Sequence, residues 1–170
     1  MGDHDMATTH SADQMGTGPK ADVMFVQEMI PHHQQAVELG AMVPQHTSNA
    51  DLITLAGEIM KQQQPEINVM KTQLVQWGVN PDDPTSIHAG HMNGMVDDAT
   101  LAKLKTLQGA EFDKLWLQSM ISHHQGAIEM SETEVSKGQS SDMTALARDI
   151  ITAQQTEIDQ MKKMLAAAGG

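Results

Sequence analysis

The amino-acid sequence predicts an all-α protein, a four-helix bundle built from two repeated helical hairpins with a short extra helix in the central connection. Apolar residues recur three and four positions apart, which is the spacing of one helical face. The same pattern returns after 91 residues: segments 23–74 and 114–165 align without a gap, and 19 of 52 positions are identical. Two hairpins that each carry an apolar face can bury those faces against each other, which predicts the bundle.

The N-terminal part of the chain divides into a tail and a first helix. Residues 1–20 are polar and carry no periodicity, which predicts a disordered tail. The bundle is expected to cover 21–170. Its first helix is expected to begin near Ala21 and to carry a wide apolar stripe, as in a helix that packs on more than one side. Pro44 and the polar residues 47–49 are predicted to break this helix.

The second helix is predicted to begin at about Asp51, with Asn49 as an alternative N-cap. It is expected to end near Trp77, because Gly78 and Pro81 follow. The expected units are repeat one at 22–78, a Pro/Gly/His/Met loop at 80–95, a short helix at 97–108 and repeat two at 110–166.

Composition and charge exclude several classes of function. The chain has 22 acidic and 10 basic side chains and a formal charge of −12, which argues against nucleic acid and anionic membrane surfaces and suits cations. It has no cysteine, which excludes thiolate catalysis, disulfides and iron–sulfur clusters. The sequence has no run of about 18 apolar residues that would cross a bilayer. It shows no apolar signal segment, so an exported protein would be in its mature form or a trimmed one. Aromatic residues are only 2% and Met numbers 15, so Met is expected to fill much of the core.

Paired histidines are the sharpest feature of the sequence. His32 and His33 continue two apolar rows of the first helix, so both are expected in or at the edge of the core. In an antiparallel hairpin that turns near residue 47, Gln63 and Glu66 interrupt the apolar row of the second helix at the same level. The repeat adds an equivalent set from the other half, namely His123, His124, Gln154 and Glu157.

Two interpretations of this polar layer remain open. Gln and Glu could supply the hydrogen bonds that buried His needs, in a purely structural network. Alternatively, imidazole, carboxylate and flanking thioethers could converge on a metal ion or form a proton site. The candidate ligands of this second interpretation are His32, His33, Glu66, His123, His124 and Glu157, together with Met29, Met70, Met120 and Met161. A di-iron centre is not expected, because no Glu-x-x-His occurs in the chain.

Two further Met/His groups lie outside the predicted long helices. The loop contains His88, His91, Met92 and Met95. Imidazole and thioether are ligands for Cu(I), and thioether discriminates against Zn, Mg and Ca. In the tail, His4 would bind Cu(II) or Ni(II) together with the amino group and backbone amides if the mature chain begins at Gly2. A solvated loop and tail without metal is the alternative for both groups.

The doubled motif resembles the domain-of-unknown-function family 305. The likeness lies in Met-Ile-x-His-His-Gln-x-Ala at 29–36 and 120–127 and in Gln-Gln-x-Glu-Ile-x-x-Met-Lys at 63–71 and 154–162, and it covers about 22–166. This resemblance implies a ferritin-like fold and a bacterial protein exported to the periplasm or cell surface, often with a lipid anchor. Some members bind copper and silver through Met and His and support copper tolerance, which implies the same for the histidine pairs, the neighbouring Met residues and the loop.

The sequence therefore predicts an exported copper-binding protein that sequesters Cu(I) or transfers it to a copper exporter or another copper-carrying protein. Cu(II) and silver are further candidate ions. No catalytic turnover is expected. A metal-dependent enzyme that uses the His/Gln/Glu layer and a structural adaptor bundle without metal are the alternatives.

Overall fold

The computed structural model describes residues 19–83 and 93–169, and these two segments contain five helices. The helices are α1 (Pro19–His46), α2 (Ala50–Gln76), α3 (Asp98–Thr106), α4 (Gly109–Lys137) and α5 (Ser141–Ala167). The described segments contain no strand, and the predicted all-α fold is confirmed. α1–α2 and α4–α5 form the two repeated hairpins, and α3 lies in the connection between them.

Side-chain caps define where three of the helices begin. The Asn49 side chain accepts a hydrogen bond from the Leu52 amide and starts α2. Ser140, which stands 91 residues later, caps α5 in the same way through the Met143 amide. Asp97 caps α3. Each side chain satisfies a backbone donor that the first helical turn leaves unpaired.

The expectation that Pro44 would break the first helix is wrong. α1 continues through Pro44 and ends at His46, just before the predicted polar cluster. The last turn is held from outside: the His46 ring stacks on Phe112 with centroids 4.8 Å apart, and His46 Nδ1 donates to the Leu107 carbonyl at 2.8 Å. These tertiary contacts offset the backbone hydrogen bond that a proline removes.

The core consists of two apolar clusters, one toward each end of the bundle. The Phe25 cluster combines the first half of α1 with the second half of α2, the end of α4 and the start of α5. The Trp116 cluster combines the opposite halves of the same four helices. α1 contacts both α2 and α4, so the two hairpins join mainly through α1 and α4. Along every long helix the two clusters are separated by the same narrow band of polar positions.

None of the described helices has the length and hydropathy that crossing a bilayer requires.

Candidate metal centre

Four fully buried imidazoles occupy the band between the two apolar clusters. His32, His33, His123 and His124 each have 0% of their surface exposed. We call the set formed by these four residues with Gln63, Glu66, Gln154 and Glu157 the histidine layer. Gln63, Gln154 and Glu157 are also buried, and Glu66 is half-buried. The predicted position of the layer, at one level of all four long helices, matches this arrangement.

Adjacent histidines can both be buried because α1 and α4 are each covered on two sides. Successive residues of a helix point about 100° apart, so only one of two neighbours can face a single partner helix. His33 reaches α2, where it meets Glu66, and His32 reaches α4, where it meets His123. By the repeat, His124 reaches Glu157 on α5. The sequence placed both histidines inward, and the packing assigns each one its partner.

Three of the four imidazoles use Nε2 as a hydrogen-bond donor to an oxygen. His33 Nε2 donates to Glu66 Oε2 and His124 Nε2 donates to Glu157 Oε2, each at 2.5 Å. His32 Nε2 donates to the Asn93 carbonyl at 2.9 Å. In the neutral form of each ring, the lone pair is then on Nδ1. Within the described segments, Nδ1 of all three residues is buried and has no hydrogen-bond partner.

His32 and His123 face each other across the α1–α4 interface. Their ring centroids are 3.8 Å apart, and the rings are inclined at 34°. Burial lowers the pKa of His32 to about 3, although the bond to Asn93 opposes this shift, and His33 and His124 lower it further. Burial also lowers the pKa of His123 well below its usual range, with added repulsion from His32, His124 and His33. Both rings are therefore neutral near pH 7.

His123 differs from the other three histidines because neither of its nitrogens has a hydrogen-bond partner among the described residues. A buried polar atom without a partner costs stability, so it calls for a structural or functional explanation. Gln63 is a second buried side chain of this kind, since its amide oxygen and nitrogen also have no hydrogen-bond partner in the described part of the chain. The layer thus contains more polar atoms than its own hydrogen bonds satisfy.

The predicted thioether ligands lie on both sides of the layer. Met29 and Met70 belong to the Phe25 cluster, and Met120 and Met161 belong to the Trp116 cluster. All four are fully buried and pack as core residues. Met29 and Met120 each precede a histidine pair by one helical turn, and Met70 and Met161 each follow a layer glutamate by one turn. Their contribution as ligands remains a prediction.

A short segment of the connection, Asn93–Val96, crosses directly over the layer. Gln35 fixes it through two bonds, from its Nε2 to the Val96 carbonyl (2.9 Å) and from the Val96 amide to its Oε1 (2.8 Å). Asn93 Nδ2 donates to Glu129 at 3.0 Å. The segment also lies tightly on Gly126, where an added Cβ would stand 1.9 Å from the Asn93 oxygen.

Sequence reasoning did not identify Gln35, Asn93 or Gly126 as part of the site. A signal was available, because Gln35 and Gly126 occupy equivalent positions of the two repeats and yet differ in kind. Gln35 makes the hydrogen bonds to the segment, and Gly126, which has no side chain, leaves the space in which the segment lies. Asn93 carried no such signal, since its role depends on a backbone carbonyl.

Of the other predicted ligands, only Met95 lies among the described residues. Met95 is half-buried in the crossing segment. His4, His88, His91 and Met92 lie outside the described residues. Among the described residues, no three His, Asp or Glu side chains form a preassembled metal-holding cluster. The histidine layer therefore offers unpaired nitrogen donors next to thioethers, rather than a finished site of nitrogen and oxygen ligands.

Comparison with known proteins gives a family match and several structural relatives. Residues 22–165 match the family described as Domain of unknown function (DUF305). A DUF305 protein of Streptomyces coelicolor, inferred to be secreted, is 32% identical with a TM-score of 0.81, over 88% of this chain and 94% of that one. CopM in its Cu(II)-bound form is 34% identical with a TM-score of 0.76, over 90% of this chain and 99% of that one. CopM has also been solved in Cu(I)-bound and silver-bound forms.

A shorter match links the chain to the uncharacterized protein L153 of Acanthamoeba polyphaga mimivirus. The two are 43% identical over 53 residues, which cover 31% of this chain and 35% of that protein. The match spans about a third of that relative, so it adds no functional argument.

Proposed function

The chain belongs to the DUF305 family, and from that premise and the histidine layer we propose that it binds copper and holds it without chemical turnover. Cu(I) is the favoured ion, and Cu(II) and silver are further ions that the same donors would take. The protein would sequester the metal or transfer it, and so support metal tolerance or homeostasis.

The observation that carries the proposal is the set of unpaired Nδ1 atoms in the layer. In metal sites, a ligating histidine almost always donates its second ring N–H to a carboxylate or a backbone carbonyl, which fixes the tautomer and ring orientation. His33, His124 and His32 have that arrangement, with Glu66, Glu157 and the Asn93 carbonyl as the acceptors. In this proposal Glu66 and Glu157 orient the imidazoles instead of meeting the metal directly.

The donor types favour copper in its lower oxidation state. Neutral imidazole and thioether suit Cu(I), whereas Mg, Ca and Mn prefer oxygen ligands. The depressed pKa of His32 and His123 keeps both rings neutral in mild acid, so one nitrogen of each ring retains a lone pair for which no proton competes. The formal charge of −12 would attract a cation from solution.

The relatives support the class of ion and the cellular setting. CopM has been solved with Cu(II), Cu(I) and silver, at 31–34% identity to this chain over most of its length. The Streptomyces coelicolor relative is inferred to be secreted. We therefore propose a periplasmic, cell-surface or secreted location, with a copper exporter or another copper-carrying protein as the partner in transfer.

Anaerobic Cu(I) titration against a chromophoric competitor tests this proposal on the full chain. The decisive variant is His32→Leu/His123→Leu, which removes the facing imidazoles and keeps similar volume. His46→Leu is the control, because His46 also stacks on an aromatic ring and lies outside the layer. The proposal predicts fewer bound Cu(I) ions in the double variant and an unchanged number in the control.

Two outcomes would overturn the proposal. If the double variant binds Cu(I) like the unaltered chain, the layer is a structural network. If purified protein turns over a substrate in a manner that requires copper and His123, binding without turnover is wrong and the layer belongs to an enzyme.

A further inference from the structure

A separate cavity of about 210 Å³ lies between the first turns of α1 and the last turns of α4. Its walls include Met24, Phe25 and Glu28 from α1, Met130, Thr133, Glu134 and Lys137 from α4, and Asn93 from the crossing segment. The cavity is open to solvent on one side, where Thr133 and Lys137 are exposed.

The repeat shows that the fold does not require this cavity. At an offset of 91, the wall residues Ala21 and Phe25 correspond to Phe112 and Trp116. Those two large rings are fully buried, and the Trp116 indole N–H donates to the Leu39 carbonyl at 2.9 Å. The equivalent region of the bundle is thus filled, whereas smaller side chains at 21 and 25 leave space at this end.

The same comparison shows that this cavity has thioether and carboxyl side chains, both of which can bind metal ions. Met130 corresponds to Leu39, and Glu134 corresponds to the buried core residue Val43. Thioether and carboxylate have therefore taken positions where the other repeat uses aliphatic packing. The other repeat has a valine at this position, so the fold of a repeat does not itself require a carboxyl group there.

Glu134 is 1% exposed, and its neighbour is a second buried carboxyl group, Asp22. Asp22 accepts hydrogen bonds from the backbone amides of Gln139 and Ser140 at 3.0–3.1 Å. Neither oxygen of Glu134 accepts a bond from any donor among the described residues. A Cβ added to Gly138 would lie 2.3 Å from Glu134 Oε1 and 2.6 Å from Asp22 Oδ1, so the two carboxyl groups converge there. Two adjacent buried carboxyl groups retain a proton unless a cation lies close to them.

We propose that this cavity is a second metal site, which takes one soft monovalent cation, Cu(I) or Ag(I), between the thioethers of Met24 and Met130, with the Glu134 carboxyl group releasing its proton to solvent as the ion enters. The choice of ion rests on the proposed function, but the residues are different from those of the histidine layer. Thioether sulfur selects soft ions over Mg, Ca and Zn. Unbranched Met side chains can adjust to close a cavity that is larger than a bare ion.

Silver titration of the full chain, followed by NMR of the ¹³C-labelled Met methyl groups, tests the site with a redox-inert probe. The methyl signals of Met24 and Met130 are assigned through Met24→Leu and Met130→Leu and are expected to shift on addition of Ag(I). The double variant Met24→Leu/Met130→Leu should bind one Ag(I) fewer per chain, and Glu134→Gln should weaken binding at this site. Leucine nearly conserves the volume, so folding should be retained.

The matched control is Met42→Leu/Met164→Leu, because these two partly buried residues pack on the Trp116 cluster far from the cavity. It should bind as many silver ions as the unaltered chain. Unshifted Met24 and Met130 signals, or unchanged stoichiometry in their double variant, would overturn the second site.

The histidine variant His32→Leu/His123→Leu separates this inference from the proposed function. If it loses metal while Met24 and Met130 still respond, both sites stand. If it binds normally while Met24 and Met130 respond, the cavity stands and the histidine layer is structural. If those two signals stay unshifted in every protein, the cavity proposal is wrong, whatever the layer does.

Discussion

His32 and His123 lie face to face at the centre of the bundle, with ring centroids 3.8 Å apart, and each comes from a different repeat. They occupy equivalent positions of the two repeats, 91 residues apart. The pseudo-two-fold relation between the hairpins therefore places these two equivalent side chains against each other. The two rings are not equivalent in their bonding, because His32 donates to Asn93 and His123 has no partner among the described residues.

Replacing His123 or its neighbour His124 by leucine should change the stability of the metal-free protein differently. His123→Leu removes a buried group without a partner, so the free energy of unfolding should stay constant or rise by about 1 kcal/mol. His124→Leu leaves the buried Glu157 carboxylate without its donor and should lower that free energy by about 1–3 kcal/mol. Urea unfolding followed by circular dichroism compares the two. An equal loss of stability in both variants would contradict this prediction.

The layer glutamates should influence metal affinity without being ligands. In Glu66→Gln/Glu157→Gln, the amides no longer anchor the His33 and His124 rings as charged acceptors. Removal of such outer partners typically costs about 10–100-fold in metal affinity. Competitive Cu(I) titration should show this weakening with unchanged stoichiometry. Glu58→Gln, an exposed change two turns earlier on α2, is the control. Loss of a whole bound ion would instead identify the glutamates as direct ligands.

Gly126→Ala should displace the segment that crosses the layer. The new Cβ would stand 1.9 Å from the Asn93 oxygen, which must then move away from His32. A loss of about 1–3 kcal/mol in unfolding free energy is expected, as for other overpacked sites. Gly57→Ala is the matched control, because nothing lies within 4 Å of its Cβ, and it should stabilise α2 by about 0.5–1 kcal/mol. Equal effects of the two substitutions in thermal unfolding would show that the segment is not held at Gly126.

Glu134 should make the metal-free fold less stable as the pH rises. Burial, and after it the neighbouring Asp22 carboxyl group, raise the pKa of Glu134 from 4.5 to about 9. Between these values the folded state keeps a proton that the unfolded chain has released, so each rise in pH favours unfolding. The stabilisation is complete below about pH 4.5 and is lost progressively up to about pH 9. Chemical unfolding across this range should show a shallower decline for Glu134→Gln. The exposed Glu132→Gln should retain the original slope, and identical slopes in all three proteins would disprove the prediction.

The predicted loop ligands call for a separate measurement. Joint replacement of His88, His91, Met92 and Met95 should lower the number of Cu(I) ions bound per chain, because imidazole and thioether donors are removed together. The competitor titration on full chains gives this number. Replacement of the pair His32 and His123 should reduce it independently, and the two losses should add if the sites do not share an ion. Unchanged stoichiometry in the loop variant would remove the loop from the list of sites.

Much of the layer follows from helical periodicity alone. The apolar rows that contain His32 and His33 predict burial, and the interruptions at Gln63 and Glu66 predict that the polar residues share one level. The details of partnership do not follow. The shared level does not tell which layer residue of α2 meets which histidine, and the structure shows that Glu66 meets His33. A long side chain can contact a residue one helical turn above or below its own level, so backbone spacing alone does not identify its partner.

The sequence by itself determined the all-α class, the two hairpins, the polar layer at their centre and the absence of cysteine chemistry. These properties depend on local periodicity and on composition, which a linear chain records completely. Only the tertiary structure decided that α1 continues past Pro44, that Asn93 covers His32, and that Glu134 lies beside Asp22 at the edge of a cavity. Some of these relationships join residues that are more than a hundred positions apart in the sequence. They arise from the way in which two hairpins pack, which no spacing within either hairpin encodes.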